Sequence, residues 1–574
     1  MKMIRFLRKT IAKITLAALA LSGLAFLAYR VDDHYFEIAK NLDIFAAVYR
    51  SLDTYYVDSI EPGKLMGTGI DAMVGSLDPY TTFYPENDLS ELEFQTTGKY
   101  GGIGLSIRQI HDSTIVSDIY SGSPVDQAGI RAGDIIISIN GQQATSLNDG
   151  QISKMLKGAP GTSLRLVLQN PWTGIRTEKT IIRREIDIRS VAYAGMVNTQ
   201  VGYIKMMQFT QFSANEVSDA LDSLKSKNPA MTGVIIDLRG NPGGLLDEAV
   251  KMSSLFVGHD QTVVSTRGKI ASWNRDYRTG EIAKDAGIRL AVLTNRMSAS
   301  ASEIFAGAMQ DLDRGVIIGQ RSFGKGLVQT TRDLPYNSKL KLTVAKYYTP
   351  SGRCIQAIDY SHAATDGGLY YIPDSLRKTF RTRDGRIVRD GGGIEPDVHL
   401  PPDYLSDISM ALLEKNYIFE FATQYYYTHP LAPESAMDFK ITNEDYQRFL
   451  TFISGKDFDY QTRSEDVLED FEKTAKKDGY FNDVSTQFDA LKKQLDLEKQ
   501  KDILKNSQEI KNLLEEEIIG RYYLEQGRIA RSLGFDPEVT EAAAVLQDST
   551  HYNDLLGRKD SLSLQHQSAF AEVH

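Results

Sequence analysis

A serine and a lysine are the residues of this chain best suited to chemistry. Ser300 is the middle serine of the segment Ser-Ala-Ser-Ala-Ser at 298–302, and Lys325 stands between two glycines. A serine hydroxyl becomes a nucleophile when a base takes its proton and N–H groups stabilise the oxyanion. Lysine has a pKa of about 10.4, but burial disfavours the ammonium and lowers that value. These residue types predict nucleophilic catalysis with Lys325 as the general base.

The local pattern leaves two alternatives open. Ser298, Ser300 and Ser302 compete equally for the role of nucleophile, and serine is also a favoured residue at a helix N-cap. Lys325 could equally be an exposed lysine in a turn. No histidine lies near these segments in the sequence, since the closest is His259, so the lysine is the best candidate for the base.

Three further groups could complete such a site. Gln329 faces the same side as Lys325 if the segment between them is extended, so its amide could orient the neutral amine. The N–H of Ala301, at the start of a helix, would point toward the oxyanion. A second N–H would come from Gly243 or Gly244, in a glycine turn that permits close approach of the backbone.

Buried strands and amphipathic helices alternate between residues 190 and 350. The apolar runs 233–238 and 290–293 are typical of strands that are covered on both faces. The first run leads into the glycine turn, and the second leads into the serine segment. The alternation predicts an α/β domain over residues 189–402, with both strands ending at the candidate site.

A separate module precedes this domain over residues 96–188. Gly102, Ile103, Gly104 and Leu105 form a glycine-rich loop before strand-like alternation. Consecutive backbone N–H groups in such a loop can bind a terminal carboxylate, while the peptide adds a strand to the sheet edge. Taken alone, the same loop could be an ordinary tight turn.

The N-terminal segment predicts export. Five cations, Lys2, Arg5, Arg8, Lys9 and Lys13, precede an apolar run over residues 14–29. This order is typical of a secretory signal or signal anchor, and the run is shorter than a full membrane span of about 20 residues. Residues 1–31 are therefore predicted to be a signal peptide or membrane anchor. The remainder is expected in the periplasm, or anchored in the cytoplasmic membrane and facing outward.

Length and composition limit the remaining possibilities. A chain of 574 residues predicts several domains, including a helical region at 32–95 and a helical domain at 403–574. The formal charge of −10 gives no support to nucleic-acid binding, which needs a basic surface. No cysteine or histidine spacing matches a metal site, and no cofactor is predicted.

Eight motifs occur in the order in which they are found in the carboxyl-terminal processing proteases, also called tail-specific proteases. The chain resembles this family from about residue 40 to about residue 400. The motifs are Gly75–Tyr80, Gly102–Leu105, Ala128–Ile130 with Gly133–Asp134, Asp237–Gly244, Ser298–Ile304, Gly324–Gly326 with Gln329, Tyr348–Arg353 and Gly393–Asp397.

The resemblance implies a multidomain α/β protein with a crotonase/Clp-like protease domain and an inserted PDZ domain at 96–188. It maps the family's nucleophile to Ser300, its catalytic lysine to Lys325 and its lysine-orienting glutamine to Gln329. It also implies an exported serine endopeptidase that recognises the C-termini of protein or peptide substrates and works through an acyl-enzyme. In some relatives the PDZ domain gates the active site, which is a hypothesis for this chain.

Two segments depart from the family pattern, namely an insertion at 358–391 and the long tail at 403–574. The tail could serve homo-oligomerisation, partner docking or shielding of the site, or it could be a solvated appendage. For Glu303 and Asp311, on the helix after Ser300, structural hydrogen bonds or solvated charges are the favoured interpretation. The rival functions are a non-catalytic PDZ scaffold and a crotonase-type acyl-CoA enzyme.

Overall fold

The computed structural model of the protein covers most of the chain. The residues that it describes are 34–280, 283–360, 370–456 and 460–558. The chain forms two compact units, Met1–Phe83 and Tyr84–His574. Within the described ranges, no helix is long and apolar enough to cross a membrane.

The first unit is helical where it is described. Helix α1 covers residues 34–55, and helix α2 covers Pro62–Gly75, with its proline in the first turn, where no backbone N–H needs an intrahelical partner. A short strand, β1 (Thr82–Tyr84), ends the region. Residues 1–31, which the sequence predicts to be a signal peptide or anchor, lie outside the described residues.

The module at 96–188 is a small sheet flanked by two short helices. Helix α3 (Leu89–Thr97) leads into it. Its elements are β2 (Lys99–Gly102), β3 (Leu105–Ile110), β4 (Ser113–Ile119), α4 (Pro124–Gln127), β5 (Ile135–Ile139), β6 (Gln142–Gln143), α5 (Asp149–Leu156), β7 (Ser163–Gln169), β8 (Arg176–Ile182) and β9 (Arg184–Asp187). The main sheet has the order β3-β4-β5-β7-β8, so β3 is an edge strand.

A six-stranded sheet forms the centre of the α/β domain, in the order β10-β11-β12-β15-β16-β21. Its strands are β10 (Val191–Met196), β11 (Val201–Met206), β12 (Gly233–Asp237), β15 (Arg289–Thr294), β16 (Val316–Gly319) and β21 (Val398–His399). Only β10 is antiparallel to its neighbour. Every residue of β12 is buried, as expected for a parallel strand covered on both faces.

One face of this sheet packs on three helices, α6 (Ser213–Lys227), α7 (Leu246–Ser254) and α8 (Ala301–Asp311). All 11 residues of α8 are buried. A second, antiparallel sheet adjoins them and contains β13 (Thr262–Gly268), β14 (Arg275–Arg278), β17 (Leu327–Asp333) and β18 (Lys339–Tyr348). This sheet carries the segment that follows Lys325.

The other face of the central sheet is covered by the end of the chain. The C-terminal helices are α9 (Asp407–Glu414), α10 (Tyr417–Thr428), α11 (Asn443–Ile453), α12 (Arg463–Asp478), α13 (Phe481–Lys499), α14 (Asp502–Lys505), α15 (Ser507–Ser532), α16 (Pro537–Gln547) and α17 (Ser549–Leu555). Tyr203 and Ile235 of the sheet share one apolar core with Val539 and Leu546 of α16. The alternative of a solvated appendage is therefore wrong for this part of the tail, and the boundary at 403 does not separate two independent cores.

The described part of the insertion at 358–391 is also folded. It contains a hairpin of β19 (Thr379–Arg381) and β20 (Ile387–Arg389). Arg386 forms ion pairs with Asp313 at 2.6 Å and with Asp397 at 2.5 Å. These contacts fasten the hairpin to the end of α8.

The module at 96–188 contacts the C-terminal helices. Arg528 of α15 forms an ion pair with Asp118 of β4, with 2.6 Å between Nη1 and Oδ1. Leu524 interrupts α15 with a backbone φ of 56° and ψ of −150°, values that non-glycine residues rarely adopt. Its side chain packs against the core of the module. The module is thus braced by a helix that comes more than 300 residues later in the sequence.

Candidate active site

One cavity of about 530 Å³ is lined by most of the residues predicted for the chemistry, although Ala301 is not among its lining residues. Ser300, Lys325 and Gln329 line it, together with the glycine turn at 243–244. Its other lining residues are Leu92, Gln95, Thr96, Gln208, Pro242, Leu245, Leu246, Ile304, Leu327, Val328, Thr331, Lys341 and Tyr347. The candidate site therefore lies between α3, the turn after β12, the start of α8, and strands β17 and β18.

The structure distinguishes the three serines of the 298–302 segment. Ser298 is fully buried and its hydroxyl donates to the carbonyl of Leu238 at 2.8 Å. Ser302 is also fully buried, and its hydroxyl donates to the carbonyl of Asn241 at 3.0 Å. Of the three, only Ser300 lines the cavity. The other two hydroxyls hold the turn together.

Ser300 occupies the N-cap position of α8 in a strained backbone conformation. Its φ is 55° and its ψ is −114°, outside the regions that L-residues favour. Such strain of about 1–3 kcal/mol persists where the surrounding structure fixes the residue. Here Tyr347 donates its hydroxyl to the Ser300 carbonyl at 3.2 Å, while the Ser300 N–H donates to Glu303 at 2.9 Å. The turn presents the Ser300 side chain to the cavity.

The glycine turn packs directly against the backbone around Ser300. Gly243 has a φ of 97°, and a Cβ atom there would lie 2.7 Å from the nitrogen of Ala301. The Gly243 N–H already donates to the side chain of Asn241 at 2.9 Å. Among the described residues, no oxygen accepts from the N–H of Ala301 or of Gly244. Of the two glycines predicted for the oxyanion hole, Gly244 therefore has the available donor.

The turn that carries Lys325 is fixed by close backbone contacts. Gly324 has a φ of 88°, and a Cβ there would lie 2.4 Å from Cβ of Ala357. The Gly326 N–H donates to the side chain of Gln356 at 2.7 Å. Glycine is required at both positions because a side chain would displace the turn. The Lys325 side chain consequently enters the cavity from a rigid backbone.

Glu303 joins the two turns. Its carboxylate accepts from the N–H of Ser300 at 2.9 Å and from the N–H of Lys325 at 2.9 Å. It also accepts from the N–H of Gly324 and from the hydroxyl of Ser322, both at 2.6 Å. Burial raises the pKa of Glu303 from 4.5 to about 7, against the hydrogen bonds that favour the carboxylate. One buried side chain thus fixes the backbone at both Ser300 and Lys325.

The role of Glu303 had a signal in the sequence. A serine followed three residues later by glutamate is the pattern of a capping box, in which the glutamate accepts from the N-cap N–H. The structure contains that hydrogen bond between Glu303 and Ser300. The reach of the same carboxylate to Lys325, which is 22 residues further on, depends on tertiary packing that the sequence pattern does not encode.

Gln329 lies on β17 beside β18, with its amide Nε2 donating to the hydroxyl of Thr343 at 3.1 Å. This bond fixes the rotation of the amide within the cavity wall. Asp311, by contrast, is buried away from the cavity and pairs with Arg353 at 2.9 Å. The favoured structural interpretation of Asp311 therefore agrees with its surroundings.

The end of β12 carries a second buried network. Asp237 is fully buried and accepts from Tyr203 at 2.7 Å. Burial alone would raise the pKa of Asp237, but the cations of Arg239 and Lys205 hold it well below its ordinary value. Arg239 also pairs with Asp536 at 2.7 Å, at the start of α16. In the described residues, no group of three or more His, Cys, Asp or Glu side chains could hold a metal ion.

The loop at 102–105 has the geometry of an anion-binding turn. Ile103 is buried, and Gly104 has a φ of 82°, where a Cβ would lie 2.3 Å from Cβ of Ser123. Within the described chain, no oxygen accepts from the N–H of Ile103 or of Gly104. Leu105 begins the edge strand β3. Available N–H groups thus stand next to an open strand edge.

Three protein-family models match the chain. The model of peptidase family S41 matches residues 200–361, and a PDZ domain model matches residues 115–170. The third, described as the C-terminal helical domain of a probable PDZ-protease, matches residues 408–546. These matches confirm the predicted combination of a protease fold, a PDZ domain and a C-terminal helical domain.

Curated proteins agree with these matches. The carboxy-terminal-processing protease of Bartonella bacilliformis is 35% identical over 323 residues, which are 56% of this chain and 73% of the relative. A probable CtpA-like serine protease of Staphylococcus aureus is 33% identical over 354 residues, which are 60% of this chain and 69% of the relative. The photosystem II D1 C-terminal processing protease is 27% identical and covers 63% of this chain and 93% of its own, with a TM-score of 0.33.

Proposed function

Because the chain belongs to the carboxy-terminal-processing proteases, serine peptidases of family S41, we propose that Ser300 is its nucleophile and Lys325 its general base. The observation that carries this proposal is Glu303, whose carboxylate accepts from the backbone N–H of both residues. Their side chains line one cavity with Gln329. A catalytic dyad needs such fixed geometry, because small displacements of reacting groups reduce rates strongly.

The reaction proceeds in two steps. Oγ of Ser300 attacks the scissile carbonyl carbon while the neutral Lys325 amine takes the proton of the Ser300 hydroxyl. The ammonium then gives this proton to the leaving nitrogen, the C–N bond breaks, and an ester of Ser300 remains. Water attacks the ester with Lys325 again as the base, which releases the acid and restores the serine. Gln329 orients the amine through its amide oxygen.

The oxyanion is stabilised by the N–H groups of Ala301 and Gly244. Both are available donors, and Gly243 packs against Ala301 closely enough to bring the two segments together. Donors of this kind, fixed before the reaction, typically contribute about 3–4 kcal/mol each to transition-state stabilisation. The Gly243 N–H instead keeps the turn in shape through Asn241.

The PDZ domain selects substrates by their C-termini. The N–H groups of Ile103 and Gly104 bind the terminal carboxylate, and the peptide pairs with the edge of β3. The proposal is supported by the absence of any acceptor for these two N–H groups among the described residues. A peptide with a free C-terminus should bind the full chain, and its C-terminal amide should bind at least tenfold more weakly, by isothermal titration calorimetry.

The protein is exported, with its N-terminal segment either cleaved or retained as an anchor. The proposal is supported by the five cations that precede the apolar run at 14–29. Protease accessibility of the intact chain in spheroplasts tests it, since a chain protected until lysis would contradict export.

Self-association through α1 is also proposed, because Ile38 and Leu42 on this helix are 44% and 63% exposed. Analytical ultracentrifugation measures that state.

The dyad is tested with single substitutions and an active-site probe. Ser300→Ala should abolish labelling by a fluorophosphonate and cleavage of an unstructured protein. Lys325→Met should abolish cleavage, and this variant should unfold at a temperature similar to that of the wild type. Lys346→Met is the matched control, because this lysine lies on the adjoining strand β18 and is exposed outside the cavity. Cleavage that survives in Ser300→Ala would refute the proposal and favour a different nucleophile.

A further inference from the structure

We propose that Lys341 is a specificity-determining residue that selects substrates with a carboxylate close to the scissile bond. The inference rests on the proposed function, since it assigns a binding role within the cavity of Ser300 and Lys325. It concerns the chemistry of the substrate in that cavity, which is distinct from the capture of a C-terminus by the PDZ domain.

The position of Lys341 places its charge inside the cavity. Lys341 lies on β18 opposite Thr331 of β17, and both residues line the cavity with Ser300. Its Nζ donates to the side-chain oxygen of Gln95 at 3.2 Å. Gln95 belongs to α3 and is itself held by Gln208, whose amide donates to the Gln95 carbonyl at 3.0 Å. The ammonium is therefore held by a neutral acceptor on the opposite wall.

The charges around the cavity are unbalanced. Lys341 lines it as a cation beside Lys325, whose amine acts in its neutral form, and no aspartate or glutamate lines it among the described residues. Lys341 makes no ion pair with any described carboxylate, whereas Lys339 on the same strand pairs with Asp333. Burial lowers the pKa of Lys341. A half-buried ammonium without a counter-ion is unfavourable, so a substrate carboxylate would supply the missing partner.

Two sources could provide that carboxylate. One is an aspartate or glutamate side chain near the cleavage point, and the other is the α-carboxylate of a substrate cut close to its end. Both offer two carboxylate oxygens as acceptors for an ammonium. A charge-assisted hydrogen bond of this kind raises affinity by about tenfold or more over a peptide that lacks the carboxylate. The two sources differ in where the charge sits along the peptide, which the experiment separates.

The experiment uses the full chain and a set of fluorogenic peptides that carry Asp or Asn at successive positions around one cleavage point. Each peptide is prepared with a free and with an amidated C-terminus. For the wild type, kcat/KM should be about tenfold higher for Asp than for Asn at one position, or for the free than for the amidated end of a short peptide. Lys341→Met should bring that ratio close to one, and Lys341→Glu should invert it in favour of the uncharged Asn peptide or the amidated end.

The controls separate this inference from the proposed function. Lys346→Met should keep the wild-type ratio, because its side chain lies outside the cavity. A free-end preference that survives Lys341→Met belongs to the loop at 102–105 and counts against Lys341. A wild-type ratio of one at every position would overturn the inference alone, provided that Ser300→Ala is inactive on the Asn peptides. Cleavage by Ser300→Ala would instead overturn the proposed function.

Discussion

Replacing Glu303 by glutamine tests whether one buried carboxylate assembles the active site. The carboxylate has two donors on each oxygen, namely the N–H groups of Ser300 and Lys325 on Oε2, and the Ser322 hydroxyl and Gly324 N–H on Oε1. A glutamine has one acceptor oxygen, so its NH₂ group must face one of these pairs of donors. The substitution keeps the shape of the side chain but cannot keep all four hydrogen bonds.

The size of the effect follows from these contacts. A buried donor left unpaired costs about 1–3 kcal/mol, so glutamine forces the turn of Ser300 or that of Lys325 to move away. Displacement of a reacting group by ~1 Å reduces the rate by about 100-fold. We therefore expect kcat/KM of Glu303→Gln to fall about 100-fold, with the loss mainly in kcat, since the substrate-binding surface is unchanged.

The same residue predicts a pH dependence of stability. The pKa of Glu303 is about 7 in the folded protein and has its ordinary value of 4.5 when exposed. Between these values the folded state holds a proton that the unfolded state has released, so the free energy of unfolding falls as the pH rises. The difference amounts to about 3 kcal/mol above pH 7. Because glutamine does not ionise, Glu303→Gln should lose this part of the pH dependence.

Chemical unfolding at pH 5 and pH 8, together with steady-state kinetics at pH 8, measures both effects. Glu248→Gln is the matched control, because this buried glutamate accepts from the N–H of Ala214 at 3.1 Å and lies outside the cavity. It should keep most of the wild-type kcat/KM. Wild-type kinetics in Glu303→Gln, or an unchanged difference in stability between the two pH values, would refute the reasoning.

Three other substitutions test separate parts of the structure. Gly243→Ala should abolish fluorophosphonate labelling, because its Cβ would lie 2.5 Å from a backbone oxygen of the nucleophile turn; labelling at the wild-type rate would contradict this packing. Tyr347→Phe removes the hydroxyl bound to the Ser300 carbonyl and should lower kcat/KM by about fivefold, the value of one neutral hydrogen bond; no change in the kinetics would show that the bond does not hold the turn. Arg528→Gln breaks the ion pair with Asp118 and should increase hydrogen exchange in β3 and β4, measured by mass spectrometry. An increase in exchange that is confined to α15 would show that this helix does not brace the PDZ domain.

Much of the site could be predicted from the sequence because its parts lie in short, distinctive segments. The strand–turn–helix pattern indicated where a serine would be exposed beside the N–H groups of an oxyanion hole. The glycines beside Lys325 indicated a tight turn. The choice among Ser298, Ser300 and Ser302 needed the resemblance to a family. The structure supplies a physical reason for this choice, since the other two hydroxyls are buried and bonded to backbone carbonyls.

Other features depend on contacts between distant segments, for which a local pattern carries no signal. The reach of Glu303 to the Lys325 turn requires α8 and the start of β17 to be packed side by side. No local pattern distinguishes Lys341 from other strand lysines, and only the cavity shows that it has no carboxylate partner among the described residues. The sequence of the heavily charged tail gave no sign that α16 would cover one face of the central sheet. The apolar face of α16 resembles that of any amphipathic helix.

The position of α16 has a consequence for the timing of synthesis. Ser300 and Lys325 leave the ribosome long before residues 537–547, which cover the outer face of the sheet that supports them. Synthesis proceeds at about 5–20 residues per second, so one face of the sheet remains uncovered for roughly 7–30 s after residue 402 has been made. A nascent chain therefore carries Ser300 and Lys325 on a sheet with one face uncovered. We therefore expect the sheet that supports Ser300 and Lys325 to reach its final packing only after residues 537–547 have been synthesised.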